Sequence, residues 1–115
     1  MNKQYRLKKT FEIEKLVKKR ISVGNAYFAM YFNHSSTKST RVAISVSKKL
    51  GNAVVRNKEK RIIREIVRKN LTLIRSLDIL IVQKYKAMEL SFEEKEKEII
   101  RLFNKIIRKG EQNEK

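Results

Sequence analysis

"RVAISVSKKLGNAVVRNKEKRIIREIVR", residues 41–68, changes its apolar period midway. Over residues 41–47, Val42, Ile44 and Val46 alternate with Arg41, Ala43, Ser45 and Ser47. That is the period-two pattern of a half-buried strand whose other face is small and polar. "KKLGN" then turns the chain through Gly51, and a helix is predicted from about residue 53 to 70. Wound at about 100° per residue, Val55, Ile62, Ile63, Ile66 and Val67 fall on one side. Arg56, Lys60, Arg64 and Arg68 step along the other at i, i+4 spacing, joined by Asn57 and Arg61.

The flanks supply the rest of the elements. Upstream, "SVGNAYFAMYF" (residues 22–32) suits a strand, with a short extra strand near residues 21–24. Alternation sets Tyr27, Ala29 and Tyr31 on one face and Phe28, Met30 and Phe32 on the other, the second set reading as core. "NHSSTKST" (33–40) reads as a polar loop. "TFEIEKLVKK" (10–19) has Phe11 or Ile13, Leu16 and Val17 at helical spacing behind a Thr10 cap. Downstream, "LDILIVQKY" (77–85) is an apolar run read as a more deeply buried strand. "SFEEKEKEIIRLFNKIIRKG" (91–110) opens with Ser91 and Glu94 at capping-box spacing and carries Ile99, Phe103, Ile106 and Ile107 on one stripe. Its predicted end is Gly110. Strands and helices intermix around one small sheet, so the class is α+β, a small α-β sandwich.

Composition limits the function classes. The 115 residues amount to one domain, 1–115, with an ordered core over about residues 5–110. Twenty-nine Lys and Arg against 12 acids give a net charge of +17, an excess that repels itself unless a polyanion neutralises it. Cysteine is absent, which removes disulfides and thiolate metal sites. No apolar run approaches the roughly 20 residues of a bilayer span, and the basic N-terminus lacks a signal peptide's apolar stretch. The expectation is a cytoplasmic protein with no membrane partner.

Like charges at i, i+4 each cost a few tenths of a kcal/mol in an isolated helix, and only Glu59 and Glu65 stand within this one to relieve them. A sequence that accepts such repulsion along one ridge fits phosphates opposite it. Arginine dominance suits bidentate phosphate contact and stacking on bases. A solvated amphipathic helix is the plainest alternative. An in-plane membrane helix is disfavoured because the apolar face is needed to cover the sheet and no Trp or Phe anchors it. DNA recognition by a helix-turn-helix is disfavoured because strands flank the helix.

The spacing also carries a resemblance. "KKLGNAVVRNKEKRIIR" resembles the signature of the bacterial ribonuclease P protein subunit family, whose central helix carries Arg-Asn-x-x-Lys-Arg-x-x-Arg. Arg56, Asn57, Lys60, Arg61 and Arg64 fill that pattern. "SVSKKLGNAV" (45–54) and "RLKK" (6–9) match as well, and the similarity runs from about residue 5 to 108. The resemblance implies an α-β-β-β-α-β-α order with a left-handed crossover between two parallel strands, like the second domain of a small-subunit ribosomal protein. It implies that Lys48, Lys49, Asn52, Arg56, Asn57, Lys60, Arg61, Arg64 and Arg68 contact a catalytic RNA subunit. It also implies that a cleft between the first helix and the sheet, lined by Ile13, Val17, Ala29, Tyr31 and Ser45, takes the single-stranded 5′ leader of precursor tRNA. In one respect the chain departs from the family, where phenylalanines commonly stand at the positions of Ile13 and Val17.

The chain offers little for catalysis of its own. Asp78 is the only aspartate and starts an apolar strand, the glutamates cluster as "EEKEKE" on the last helix, and His34 is the single histidine. Metal-dependent phosphodiester hydrolysis needs several converging carboxylates. The resemblance implies that the RNA performs the cleavage with its own bound Mg²⁺, so no catalytic or metal-binding side chain is expected here. A small ribosomal protein shares the charge and the basic helix, but leaves the joint occurrence of lead-in, helix motif and tyrosine strand without a reason.

Overall fold

The change of period at residue 47 is a change of element. In the computed structural model, which describes residues 13, 14, 17, 18, 21–34 and 39–113, β3 spans Arg41–Val46 and the central helix spans Ala53–Asn70. A 3-10 turn over Lys48–Leu50 joins them, capped by Ser47, whose Oγ accepts from the Lys49 N–H at 3.2 Å. Gly51 follows at φ +151°, where a Cβ would lie 2.9 Å from the Val55 side chain. Only glycine takes that corner without strain. Asn52 then starts the helix, its Oδ1 accepting from the Val55 N–H at 3.0 Å.

Four strands form one sheet in the order β1-β2-β4-β3, with β1 at Ser22–Gly24, β2 at Phe28–His34 and β4 at Leu77–Gln83. β1 and β2 pair antiparallel, as do β2 and β4, while β3 runs parallel to β4. The central helix therefore connects two parallel neighbours. β4 lies inside the sheet, and its unbroken apolar run has both faces covered: Ile79, Leu80 and Ile81 are all buried. The expected extra strand exists as β1. It turns into β2 at Asn25, whose Oδ1 accepts from the Tyr27 and Phe28 N–H groups at 2.8 and 2.9 Å.

The core lies between one sheet face and two helices. Phe28, Met30 and Phe32 are buried as alternation requires, with Val42, Val46, Ile79 and Ile81 beside them. Ile63, Ile66 and Val67 of the central helix meet them, as do Ile99, Leu102, Phe103 and Ile106 of the last helix, Phe92–Asn113. The last helix opens with the expected capping box: the Ser91 N–H donates to Glu94 Oε1 at 3.0 Å and the Glu94 N–H to Ser91 Oγ at 3.2 Å. The two helices are tied by Lys95, whose ammonium donates to Glu59 Oε2 at 2.9 Å with both side chains buried. Near the C-terminal end of the central helix the Lys69 ammonium sits 5.4 Å from the Phe92 ring centroid.

Four expectations need correction. The last helix does not stop at Gly110 but continues to Asn113, because glycine permits a left-handed stop without forcing one. β2 extends through Asn33 and His34, which pair with Asp78 and Leu77, so the loop starts later than its polarity implied. Tyr27 does not share a free face with Ala29 and Tyr31; it precedes β2 and packs against the main core. Glu59 does not relieve the basic ridge, since Lys95 takes its carboxylate on the opposite, buried side. Residues 13, 14, 17 and 18 are helical, in keeping with a first helix. Thr10, Phe11, Leu16 and the "RLKK" stretch lie outside the described residues.

Candidate nucleic-acid interface

Two surfaces carry the residues singled out from the sequence. The first is the outer side of the central helix with its lead-in turn. Lys48, Lys49, Asn52, Asn57, Arg61 and Arg68 are exposed, while Arg56, Lys60 and Arg64 are half-buried. Burial of Ile63, Ile66 and Val67 fixes which side faces inward, so the i, i+4 row of cations is held outward by the packing of its own helix. Among the described residues, Arg68 is the one member of the row paired with a carboxylate, that of Glu65. This contact holds the exposed Glu65 carboxyl below the usual carboxylate range and raises the Arg68 guanidinium. Arg56 Nε is buried and has no hydrogen-bond partner. A buried donor left unmade is costly. Asn52 commits its carboxamide oxygen to the helix cap, which leaves its amide hydrogens for any outside contact.

The second surface is the sheet face away from the core. Strand register sets it out in cross-strand rows. Ala29, Val82 and Ser45 form one row, Tyr31, Leu80 and Ala43 the next, and Asn33, Asp78 and Arg41 a third. The third row is closed by a bidentate ion pair, with Arg41 Nε 3.0 Å from Asp78 Oδ1 and the guanidinium terminus 2.9 Å from Oδ2. Ala43 and Leu80 are buried in the middle row, with Ile13, Tyr31 and Val82 packed partly against them. Of the five expected groove residues, the structure thus gathers Ile13 and Tyr31 at one small apolar patch, with Ala29 and Ser45 in the adjoining row. Val17 stands apart at 40% exposed and is not in that patch. Sequence reasoning missed Ala43, Leu80 and Val82 as floor residues. For Leu80 and Val82 the signal was the apolar run of β4, which needs cover on both faces.

Six acidic side chains among the described residues are engaged. Asp78 pairs with Arg41, Glu59 with Lys95, Glu65 with Arg68, and Glu98 with Arg101. Glu96 accepts from Asn70 at 3.1 Å, and Glu94 caps the last helix, where the Ser91 hydrogen bonds hold its carboxyl below its usual range. Among the described residues no three His, Cys, Asp or Glu side chains converge so as to hold a metal ion. Among the same residues no helix is long and apolar enough to cross a membrane.

An outward cationic helix and an aromatic-edged sheet face on one small α+β fold describe a class of protein, and comparison with known proteins shows its family. Solved structures of the RNase P protein from Staphylococcus aureus and from Thermotoga maritima superpose with TM-scores of 0.80 each. The first is 35% identical and covers 87% of this chain and 93% of that one; the second is 28% identical, covering 87% and 96%. Sequence relatives include the ribonuclease P protein components of Bacillus velezensis, 42% identical over 106 residues and 91% of each chain, and Streptococcus agalactiae, 37% identical over 100 residues, 87% of this chain and 92% of that one. The Ribonuclease P family profile matches residues 1–107, and the chain belongs to that family.

Proposed function

We propose that this chain is the protein subunit of ribonuclease P, which binds a catalytic RNA and assists removal of the 5′ leader from precursor tRNA. The observation that carries the reading is the ridge of Arg56, Asn57, Lys60, Arg61 and Arg64: it fills the family signature and faces outward with no acidic partner among the described residues. Lys48, Lys49, Asn52 and Arg68 extend it at its two ends. Phosphates of a folded RNA neutralise such a row. The cleft between the first helix, with Ile13 and Val17, and the sheet face, with Ala29, Tyr31 and Ser45, takes the single-stranded leader, Tyr31 offering a ring to a base.

In this reading the RNA cleaves with Mg²⁺ that it binds itself, and the protein contributes affinity for the precursor. The β3-helix-β4 unit is the left-handed crossover of the family, against the usual right-handed preference. The complex works in the cytoplasm, with neither DNA nor membrane as partner. The test is reconstitution with a bacterial ribonuclease P RNA, Mg²⁺ and a precursor tRNA. The polypeptide alone leaves the precursor intact; RNA and polypeptide together release the 5′ leader at lower Mg²⁺ than the RNA alone requires. No gain over the RNA alone, or capture of ribosomal RNA instead of this RNA in pull-down sequencing, overturns the proposal.

A further inference from the structure

One end of the sheet sets exposed residues that neither the ridge nor the groove uses beside the first lysines of the ridge. Because β3 and β4 run parallel with Val46 beside Gln83, the segments that follow each strand leave the sheet at the same edge. One brings Lys48 and Lys49, the other Lys84, Tyr85 and Lys86, and all five are exposed. Lys84 is still held by the sheet: its N–H donates to the Tyr27 carbonyl at 2.8 Å and its ammonium to the Asn25 carbonyl at 2.7 Å. Tyr85 then opens the 3-10 turn Tyr85–Glu89 with 69% of its surface exposed, the one aromatic among the exposed large apolar side chains of the described residues. The turn is anchored without that ring. Ala87 is fully buried and its N–H donates to the Lys84 carbonyl at 3.1 Å, and the Leu90 N–H returns to Ala87 at 3.1 Å. The one acid on the turn, Glu89, sits at its far end.

We infer that Tyr85 is a stacking platform for a base of single-stranded RNA, extending the groove floor beyond Ala29, Val82 and Ser45, with Lys84 and Lys86 meeting the flanking phosphates. Tyr85 stands three positions after Val82, at most about 11 Å of extended chain. A single strand lying on the groove therefore passes within reach of it. An open ring among cations is what sequence-tolerant binding of single strands uses, because every base has a face to stack. The groove itself is short of free rings: Ile13 and Val17 have none, and Tyr31 is half-buried against Leu80. Lysines on both sides of the ring favour a polyanion over an apolar protein partner.

The inference rests on the groove reading proposed above, so its test varies Tyr85 and Tyr31 separately. The holoenzyme is assembled with its RNA, and affinities are measured for mature tRNA and for precursors with leaders of graded length, some carrying 2-aminopurine. Tyr85→Ala is expected to weaken long-leader precursor about tenfold, within the range for loss of one stacked base. It leaves mature tRNA and short-leader precursor unchanged and relieves the quenching of 2-aminopurine at one leader position. Tyr85→Phe keeps the ring and behaves as wild type. If Tyr85→Ala changes nothing while Tyr31→Ala weakens precursor, the groove stands and the platform is wrong. Equal losses for mature and precursor tRNA, or a Tyr85→Phe loss as large as that of alanine, also overturn it. If neither Tyr85→Ala nor Tyr31→Ala affects precursor binding, the groove reading fails first.

Discussion

Removing one partner of the buried Glu59–Lys95 pair should be among the most damaging single changes in this domain. The side chains are 8% and 5% exposed and 2.9 Å apart, so neither charge is screened by water and each depends on the other. Deleting one partner of such a pair costs about 3–5 kcal/mol, because an uncompensated charge stays in a low-dielectric site. Against a total stability of about 5–15 kcal/mol, that is about a fifth or more of what holds the chain folded. For a domain of this size about 1 kcal/mol moves Tm by about 4 °C or somewhat more. Glu59→Gln and Lys95→Met are each therefore expected to lower Tm by on the order of 12–20 °C in calorimetry. The double replacement Glu59→Leu with Lys95→Met leaves no orphan charge and should recover most of the loss. It should also keep RNA affinity, because the pair sits on the buried side of the helix and the ridge on the other. Single variants within about 1 kcal/mol of wild type, or a double variant worse than either single, would refute the reasoning.

Two further outcomes follow from the same geometry. Gly51→Ala forces a residue with a Cβ into φ +151° and against Val55, so urea denaturation should show a loss of about 1–3 kcal/mol, with Gly51→Asn no better than partial relief. Glu94 has its folded-state carboxyl lowered by the Ser91 hydrogen bonds, so its stabilising contribution is present above the ordinary value of 4.5 and lost as pH falls through the lower folded value. The stability difference between wild type and Glu94→Gln should therefore be constant near neutrality and shrink below about pH 4.5; a difference that grows on acidification would contradict the cap.

Much of the fold was legible because its signals are local. The central helix occupies residues 53–70 as its period indicates, and the Ser91–Glu94 box marks its helix start, since caps and amphipathic spacing need only neighbours in sequence. The core face of β2 follows from alternation alone. What escaped depends on contacts distant in sequence. Glu59 looked like a ridge counter-ion because its true partner lies 36 residues away. The placing of β4 between β2 and β3, and with it the floor of Leu80, Val82 and Ala43, is set by strand pairing that no local period encodes. The ridge was legible as a row of cations, and its family pattern supplied the partner; the half-burial of Arg56, Lys60 and Arg64 and the unmet Arg56 Nε were not.

The most direct measurement is the salt dependence of binding between this protein and the ribonuclease P RNA, for wild type, Arg61→Ala, Arg64→Ala and the double variant. Each phosphate contact contributes about 0.7–0.9 to the slope of log affinity against log salt. Affinity should fall at moderate salt for each variant, and the slope should flatten by about one unit per arginine removed. Slopes and affinities indistinguishable from wild type in the double variant would mean that RNA does not lie along this ridge.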